Sequence, residues 1–235
     1  MSRTVARRWA KRGVWAALAA VLAVGCNPLT TIGFLLHRND PLPAPYPLRP
    51  KEGELADKER EVKVLVLCGH SPGVSFEFAG ADRELAAMLA KRLPELAKES
   101  KDKVAVIPAA DVNKFKAKNP TWQSMDAAKL GKYLGADFVM DVTVGNVNIY
   151  QPGSGKRVYE GRAEVEVDVY DVTAPPADGP KHKYTHPFVY PKTGMKAVDD
   201  VPLSRFKQEF LERLALELAR KHIDYKAGVG IAAEQ

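Results

Sequence analysis

Between Ala136 and Tyr190 the apolar residues recur at every second position, and this alternation narrows the possible folds more than any other feature of the chain. Phe138, Met140, Val142 and Val144 alternate with Val139, Asp141, Thr143 and Gly145. After a loop containing "PGSGK", Ala163, Val165, Val167 and Val169 alternate with Glu164, Glu166, Asp168 and Tyr170. Successive side chains of a strand point to opposite faces, so the second run predicts a strand with one face buried and an acidic face in solvent. The Pro- and Gly-rich "APPADGP" turns the chain into Lys181 to Tyr190, where Tyr184, His186, Phe188 and Tyr190 share a face. The three segments read as an antiparallel meander.

Elsewhere the period is helical. Val62 to Cys68, "VKVLVLC", reads as a buried strand, and a glycine-bearing loop, Gly69 to Gly80, follows. Leu85, Met88, Leu89, Leu93 and Leu96 then fall on one face of a helix from Asp82 to Leu96, which Pro94 should kink or end. Val104 to Ile107 reads as a second buried strand. Asp111 is expected to cap a short helix with Val112 and Phe115 inside, and Ser124 to cap another that Gly135 stops. A strong stripe of Leu203, Phe206, Phe210, Leu214 and Leu218 marks a final helix from Pro202 to His222. This order predicts an α/β (α+β) fold: a mixed sheet with an antiparallel meander and helices packed mainly over one face.

The N-terminus has three parts. Arg3, Arg7, Arg8, Lys11 and Arg12 form a basic head, Val14 to Val24 is apolar, and Gly25 precedes Cys26. That layout is a secretory signal, with a core short of the roughly 20 residues a membrane span needs. "LAVGC" resembles the lipobox of bacterial lipoproteins, although Ala23 stands where Leu is commonest. The resemblance implies cleavage before Cys26 and attachment of a diacylglyceryl group to its thiol. In the alternative, an uncleaved anchor would run on through Leu29 to Leu36, but Asn27-Pro28 interrupts it. Asn27 in that place, by resemblance to enterobacterial lipoproteins, implies delivery to the outer membrane, with the protein facing the periplasm.

Processing changes the meaning of the charge. The chain carries 35 Lys and Arg against 29 Asp and Glu. Five of the basic residues and none of the acidic ones lie before Cys26, leaving 30 against 29 afterwards. A near-neutral body gives no ground for a nucleic-acid partner, and the expected neighbours are a membrane and other envelope proteins. Asn39 to Pro50 contains five prolines and is expected to be a stiff tether. The organisation read this way is a signal peptide over 1–25, an anchor and tether over 26–61, one domain over 62–224, and a flexible tail over 225–235.

Several segments of that domain resemble a known group. "VKVLVL", "ADRELAAMLAKRL", "VAVIPAADVNKF", "AAKLGKYLGADFVMDVTVGNV" and "YEGRAEVEVDVYDV" look like the N-terminal domain of TolB and the related domains of lipoproteins such as CsgG and LpoB. "LGADFVMDVTV" is the most specific match, and "VYDVT" at Val169 to Thr173 closes the arm. The likeness runs from Val62 to about His222 and departs at "VLCGHSPG" and at Pro94. It implies a fold and a periplasmic assembly role, not a reaction.

Candidate chemistry is sparse. Cys68 and His70 at a strand end offer a thiol and a base, with no acid marked beside them in the sequence. "PGSGK", Pro152 to Lys156, lacks the first glycine and the Ser/Thr of a phosphate loop and joins two strands, so it reads as a turn. His182 and His186 share a strand face roughly 13 Å apart, too far for one metal. Glu164, Glu166 and Asp168 read as a solvated face that Lys181 and Lys183 offset across the ladder. The reading is therefore a non-enzymatic protein with no cofactor and no metal. Tyr184, Phe188 and Tyr190 are the candidate partner-binding residues, on a face that meets either a partner or a covering helix. The alternatives are an enzyme using Cys68 and His70, or a small-ligand binder.

Overall fold

The structure is a computed structural model and describes residues 41–49, 60–71, 78–175 and 179–226. The signal segment, Cys26, residues 50–59, residues 72–77 of the Gly69 to Gly80 loop and the tail beyond residue 226 lie outside them. Strand β1 (Val62–His70) leads to helix α1 (Ala81–Ser100), strand β2 (Val104–Val106), helix α2 (Ala109–Lys118), a 3-10 turn (Trp122–Ser124) and helix α3 (Ala127–Leu134). Then come β3 (Phe138–Tyr150), β4 (Val158–Asp171), β5 (His182–Tyr190), the short β6 (Lys196–Ala197) and α4 (Leu203–His222).

The strands form one mixed sheet in the order β2-β1-β3-β4-β5, with β6 on the far end of β4. β1 is parallel to both neighbours. The meander is antiparallel, pairing Met140 with Val169, Val142 with Val167 and Val144 with Val165, then Val165 with His186. The alternation read from the sequence is therefore the in-and-out alternation of a real sheet.

The long helices α1 and α4 cover one face. Leu85, Leu89 and Leu93 of α1 and Phe206, Phe210, Leu214 and Leu218 of α4 join Val64, Phe138, Met140, Val142, Val165, Val167, Val169 and Phe188 in the main core. The other face is half covered, which refines the expectation of helices mainly on one side. There α2 and α3 bury Val112 and Leu130 against Leu65 and Val139 in a smaller second core. Gly131 permits this approach, since a Cβ there would fall 2.4 Å from Val139 Cγ2. The rest of this face, over β4 and β5, leaves Glu164, Glu166 and Lys183 exposed.

Three local expectations are corrected. Pro94 does not end α1, which continues to Ser100 and buries Leu96 and Ala97 beyond it. The proline removes a hydrogen bond and costs about 3 kcal/mol in a helix interior. Full burial of one leucine returns about 1.5–3 kcal/mol, so an unbroken apolar stripe offsets it. Asp111 is not a cap: α2 starts after an extended Pro108, and Asp111 lies in the first turn, where its charge complements the helix N-terminus. Ser124 closes the 3-10 turn by donating to the Thr121 carbonyl. The cap of α3 is Asp126, whose Oδ1 accepts from Ala128 N at 2.9 Å and from Lys129 N at 3.2 Å. Gly135, in the left-handed region at φ 69°, ends α3 as expected.

Candidate functional site

The aromatic face of β5 is the strongest candidate in the sequence, and the structure spends it on the chain's own packing. Phe188 is buried, with its ring edge-on to Phe210 of α4 at 5.1 Å. Tyr190 donates to Glu209 Oε2 at 3.0 Å, and Lys196 and Arg205 also meet that carboxylate. Burial works to raise the Glu209 carboxyl, but the hydrogen bonds from Lys196, Tyr190 and Arg205 bring it below the ordinary value. His186 lies 3.2 Å from Glu217 Oε2. Of the two readings of this face, the covering helix is the one the fold takes, and Phe188 is not available to a partner.

Tyr184 has a different neighbour. The proline-rich stretch read as a tether is docked over Pro41–Arg49 in a trough between the start of β5 and the end of α4. Tyr46 stacks on Tyr184 with ring centres 4.3 Å apart and planes within 6°. Leu48 and Ala44 are buried. The physical reason lies in the spacing of the prolines at 41, 43, 45 and 47. In an extended chain successive N–H groups point to opposite sides, and proline has none. The N–H groups of Leu42, Ala44, Tyr46 and Leu48 therefore point one way, and all four are bonded. Leu42 N donates to the Tyr225 carbonyl, Tyr46 N to that of Lys221 and Leu48 N to that of His222. Ala44 N donates to Asp224 Oδ1 at 2.8 Å. The outer edge carries prolines with no free donor, so the segment pairs inward and is blunt outward.

The carbonyls of the segment are held by side chains. His222 Nδ1 lies 2.8 Å from the Tyr46 carbonyl, and its Nε2 lies 2.8 Å from Tyr184 Oη. A carbonyl only accepts, so Nδ1 carries the proton and neutral Nε2 accepts from the tyrosine. Burial holds this imidazole down, to a pKa of about 4. His182 is hydrogen-bonded to the Pro47 carbonyl, and its buried Nε2 has no hydrogen-bond partner among the described residues. Its pKa is lowered, first by burial and then by Lys181. Lys181 Nζ donates to the Arg49 carbonyl at 2.6 Å. The Arg49 guanidinium meets Asp224 and, at 3.4 Å, Asp102.

The end of β1 gathers more than the sequence marks. Asp82, in the first turn of α1, comes within 3.9 Å of His70 Nδ1, a contact that folding alone creates across the Gly69 to Gly80 loop. Cys68 is half-buried. Burial first, then the charges of Asp141 and Asp82, push its thiol well above the ordinary value. A nucleophilic cysteine needs the opposite shift. On the open face, Lys183 bridges to Asp168 at 2.8 Å as expected, whereas Lys181 turns to Asp171 at 3.7 Å. Asp141 is raised by burial and by Asp168, its cross-strand partner. "PGSGK" is a turn between β3 and β4. Among the described residues no three His, Cys, Asp or Glu side chains gather to hold a metal, and no helix is long and apolar enough to cross a membrane. A cleft of about 380 Å3 lies between α4 and the turn after β5, lined by Tyr190, Lys192, Lys196, Glu209 and Arg213 among others.

No family model matches the chain, and no curated protein matches it. Among solved structures it is similar to a PelC dodecamer from Paraburkholderia phytofirmans, at 11% identity over 69% of this chain and 88% of that one, with a TM-score of 0.36. It is similar to the lipoprotein GNA1162 from Neisseria meningitidis, at 17% identity over 67% of this chain and 98% of that one, with a TM-score of 0.39. A minor lipoprotein from Acinetobacter baumannii matches at 10% identity over 68% and 90%, with a TM-score of 0.33. These comparisons do not place the chain in the TolB, CsgG or LpoB group, and at such scores they carry no residue or role across.

Proposed function

We propose that the chain is a lipoprotein of the bacterial envelope, anchored through Cys26 and facing the periplasm, whose α/β body acts by binding another envelope protein or copies of itself. The lipobox-like "LAVGC" supports the anchor. The observation that carries the non-enzymatic part is the state of Cys68. Once Cys26 is acylated, Cys68 is the sole free thiol of the chain, and burial with two nearby carboxylates keeps it protonated. Such a thiol fills space. Because the inner aromatic face of β5 is occupied by α4 and by Pro41–Arg49, partner contacts fall to surfaces outside it. The Asn27 rule favours the outer membrane over the inner one.

Two measurements test this reading. Cys26→Ser should leave unprocessed precursor and abolish labelling by a fatty acid; processing and labelling that survive the change would refute the anchor. In the mature protein, iodoacetamide should alkylate Cys68 far more slowly than free cysteine at pH 8. Fast alkylation with a thiolate present at neutral pH would instead make the Cys68, His70 and Asp82 corner an active site.

A further inference from the structure

Pro41–Arg49 is more than a covering for apolar surface. The donors of Leu42, Ala44, Tyr46 and Leu48 are all matched, three carbonyls of the segment are met by side chains of β5, α4 and the residue before β5, and one aromatic ring is stacked. The trough selects by backbone pattern. A peptide with a donor at every position would leave half of its N–H groups on the outer side, and one with proline at the donor positions would leave the Lys221 and His222 carbonyls and Asp224 unmatched. The end of a helix is where such carbonyls are free, because the last four have no partner within the helix. A leucine must enter where Leu48 is buried, and an aromatic ring must lie on Tyr184.

The two histidines hold adjacent carbonyls, of Tyr46 and Pro47, and their burial favours the neutral form of both. His222 is buried, and a second proton, on Nε2, would place a charge there with only the Tyr184 hydroxyl to receive it. A proton on His182 Nε2 would be buried with no acceptor among the described residues. The surroundings do not compensate. Lys221 adjoins His222 on α4, Lys181 adjoins His182 ahead of β5, and Tyr46 and Tyr184 bring aromatic rings and no carboxylate. The nearby carboxylates have other partners, Asp224 with Arg49 and Ala44 N, Asp102 with Arg49 and Asp171 with Lys181.

We propose that the trough between the start of β5 and the end of α4 is a binding site for extended peptide with proline at every second position, that Pro41–Arg49 is its resident occupant, and that proton uptake by His182 and His222 empties it. The sign follows from linkage. Docking keeps both histidines neutral, so it is undiminished above the ordinary histidine range and weakens as pH falls from about 6.5 toward the docked value, by up to roughly tenfold per pH unit for each histidine. The consequence for reach rests on the lipid anchor at Cys26. Docked, residues 27–40 link lipid to body, 14 residues spanning at most about 50 Å; released, residues 27–61 do so, 35 residues spanning at most about 120 Å. The docked segment would then set how far the body stands from the membrane.

Hydrogen exchange on the mature chain tests the site without depending on the lipid. At pH 7.5 the amides of Leu42, Ala44, Tyr46 and Leu48 should be protected together. At pH 5.0, after correction for intrinsic rates, their protection should fall about thirtyfold or more while Val165 and Val167 of β4 keep theirs. In a His182→Gln, His222→Gln chain the protection, whatever its level, should not change between the two pH values. Peptide selectivity is read at pH 7.5 with Leu48→Ala, which loosens the resident segment. A labelled nonapeptide of the 41–49 sequence should bind that chain, and a scrambled one that breaks the alternation should not. Protection in the wild type that is unchanged at pH 5.0, or an equal fall in the glutamine variant, would overturn the proton control. Equal binding of both peptides, no binding to a Leu48→Ala chain whose segment exchanges freely, or full protection surviving that substitution would overturn the site.

Discussion

Gly161 shows how closely a single position of β4 is fitted to its helix. A Cβ there would lie 2.3 Å from Phe210 Cδ2, inside any normal contact, and Phe210 is fully buried. Gly161→Ala should therefore cost about 1–3 kcal/mol through overpacking, read as a lowered midpoint in urea. Because Phe210→Ala removes the obstructing ring, the double variant should be more stable than the sum of the single changes implies. The sequence shows Gly161 only as the residue before Arg162 and an alternating run, with nothing to say that a ring 49 positions away closes over it. Cys68 is a parallel case. Its placement at a strand end was legible, but the carboxylates that hold its thiol protonated come from β3 and α1, and their approach exists only in the folded chain.

At the scale of elements, α4 and the docked segment make contrasting predictions. The stripe on α4 points into the main core, so Phe210→Ala should cost roughly 3–5 kcal/mol. Glu212 is half-exposed and accepts from Gln208 Nε2 at 3.1 Å, so Glu212→Ala should stay within about 0.5 kcal/mol; equal effects would refute the orientation. In the docked segment the two classes of position should separate. Ala44→Pro deletes the donor to Asp224 and should cost about 1.5–3 kcal/mol of docking, the range for a hydrogen bond to a charged group. Pro45→Ala changes the outward edge and should cost about 0.4–1 kcal/mol, chiefly through a freer undocked chain. Exchange rates of the Leu42 and Tyr46 amides measure both. The helix stripe and the β4 alternation were legible because period follows from local geometry. The docking was not, because five prolines establish that a segment is extended and say nothing of what it lies against. The alternate spacing of four of them was the available signal, since it puts the donors of residues 42, 44, 46 and 48 on one side.

For the molecule as a whole, charge offers a test of processing that needs no functional assay. The full chain has a net charge of +6 and a pI near 9.2. Removing residues 1–25 takes five basic residues and no acidic ones, leaving 30 against 29, a net charge of +1. The mature protein should focus close to neutrality and the Cys26→Ser precursor near the basic value; identical focusing positions would mean that no cleavage occurs. The sequence alone determined the fold class, the strand faces, the last helix and the near-neutral body, because periodicity and composition are properties of a chain before it folds. Tertiary structure alone decided what covers each face. It placed α4 and Pro41–Arg49 on the β5 aromatics, laid α2 and α3 on the second face, carried α1 past Pro94, and brought Asp82 to His70. Each of these outcomes compares surfaces distant in sequence, where burial outweighs a local cost, and a one-dimensional pattern holds no record of that comparison.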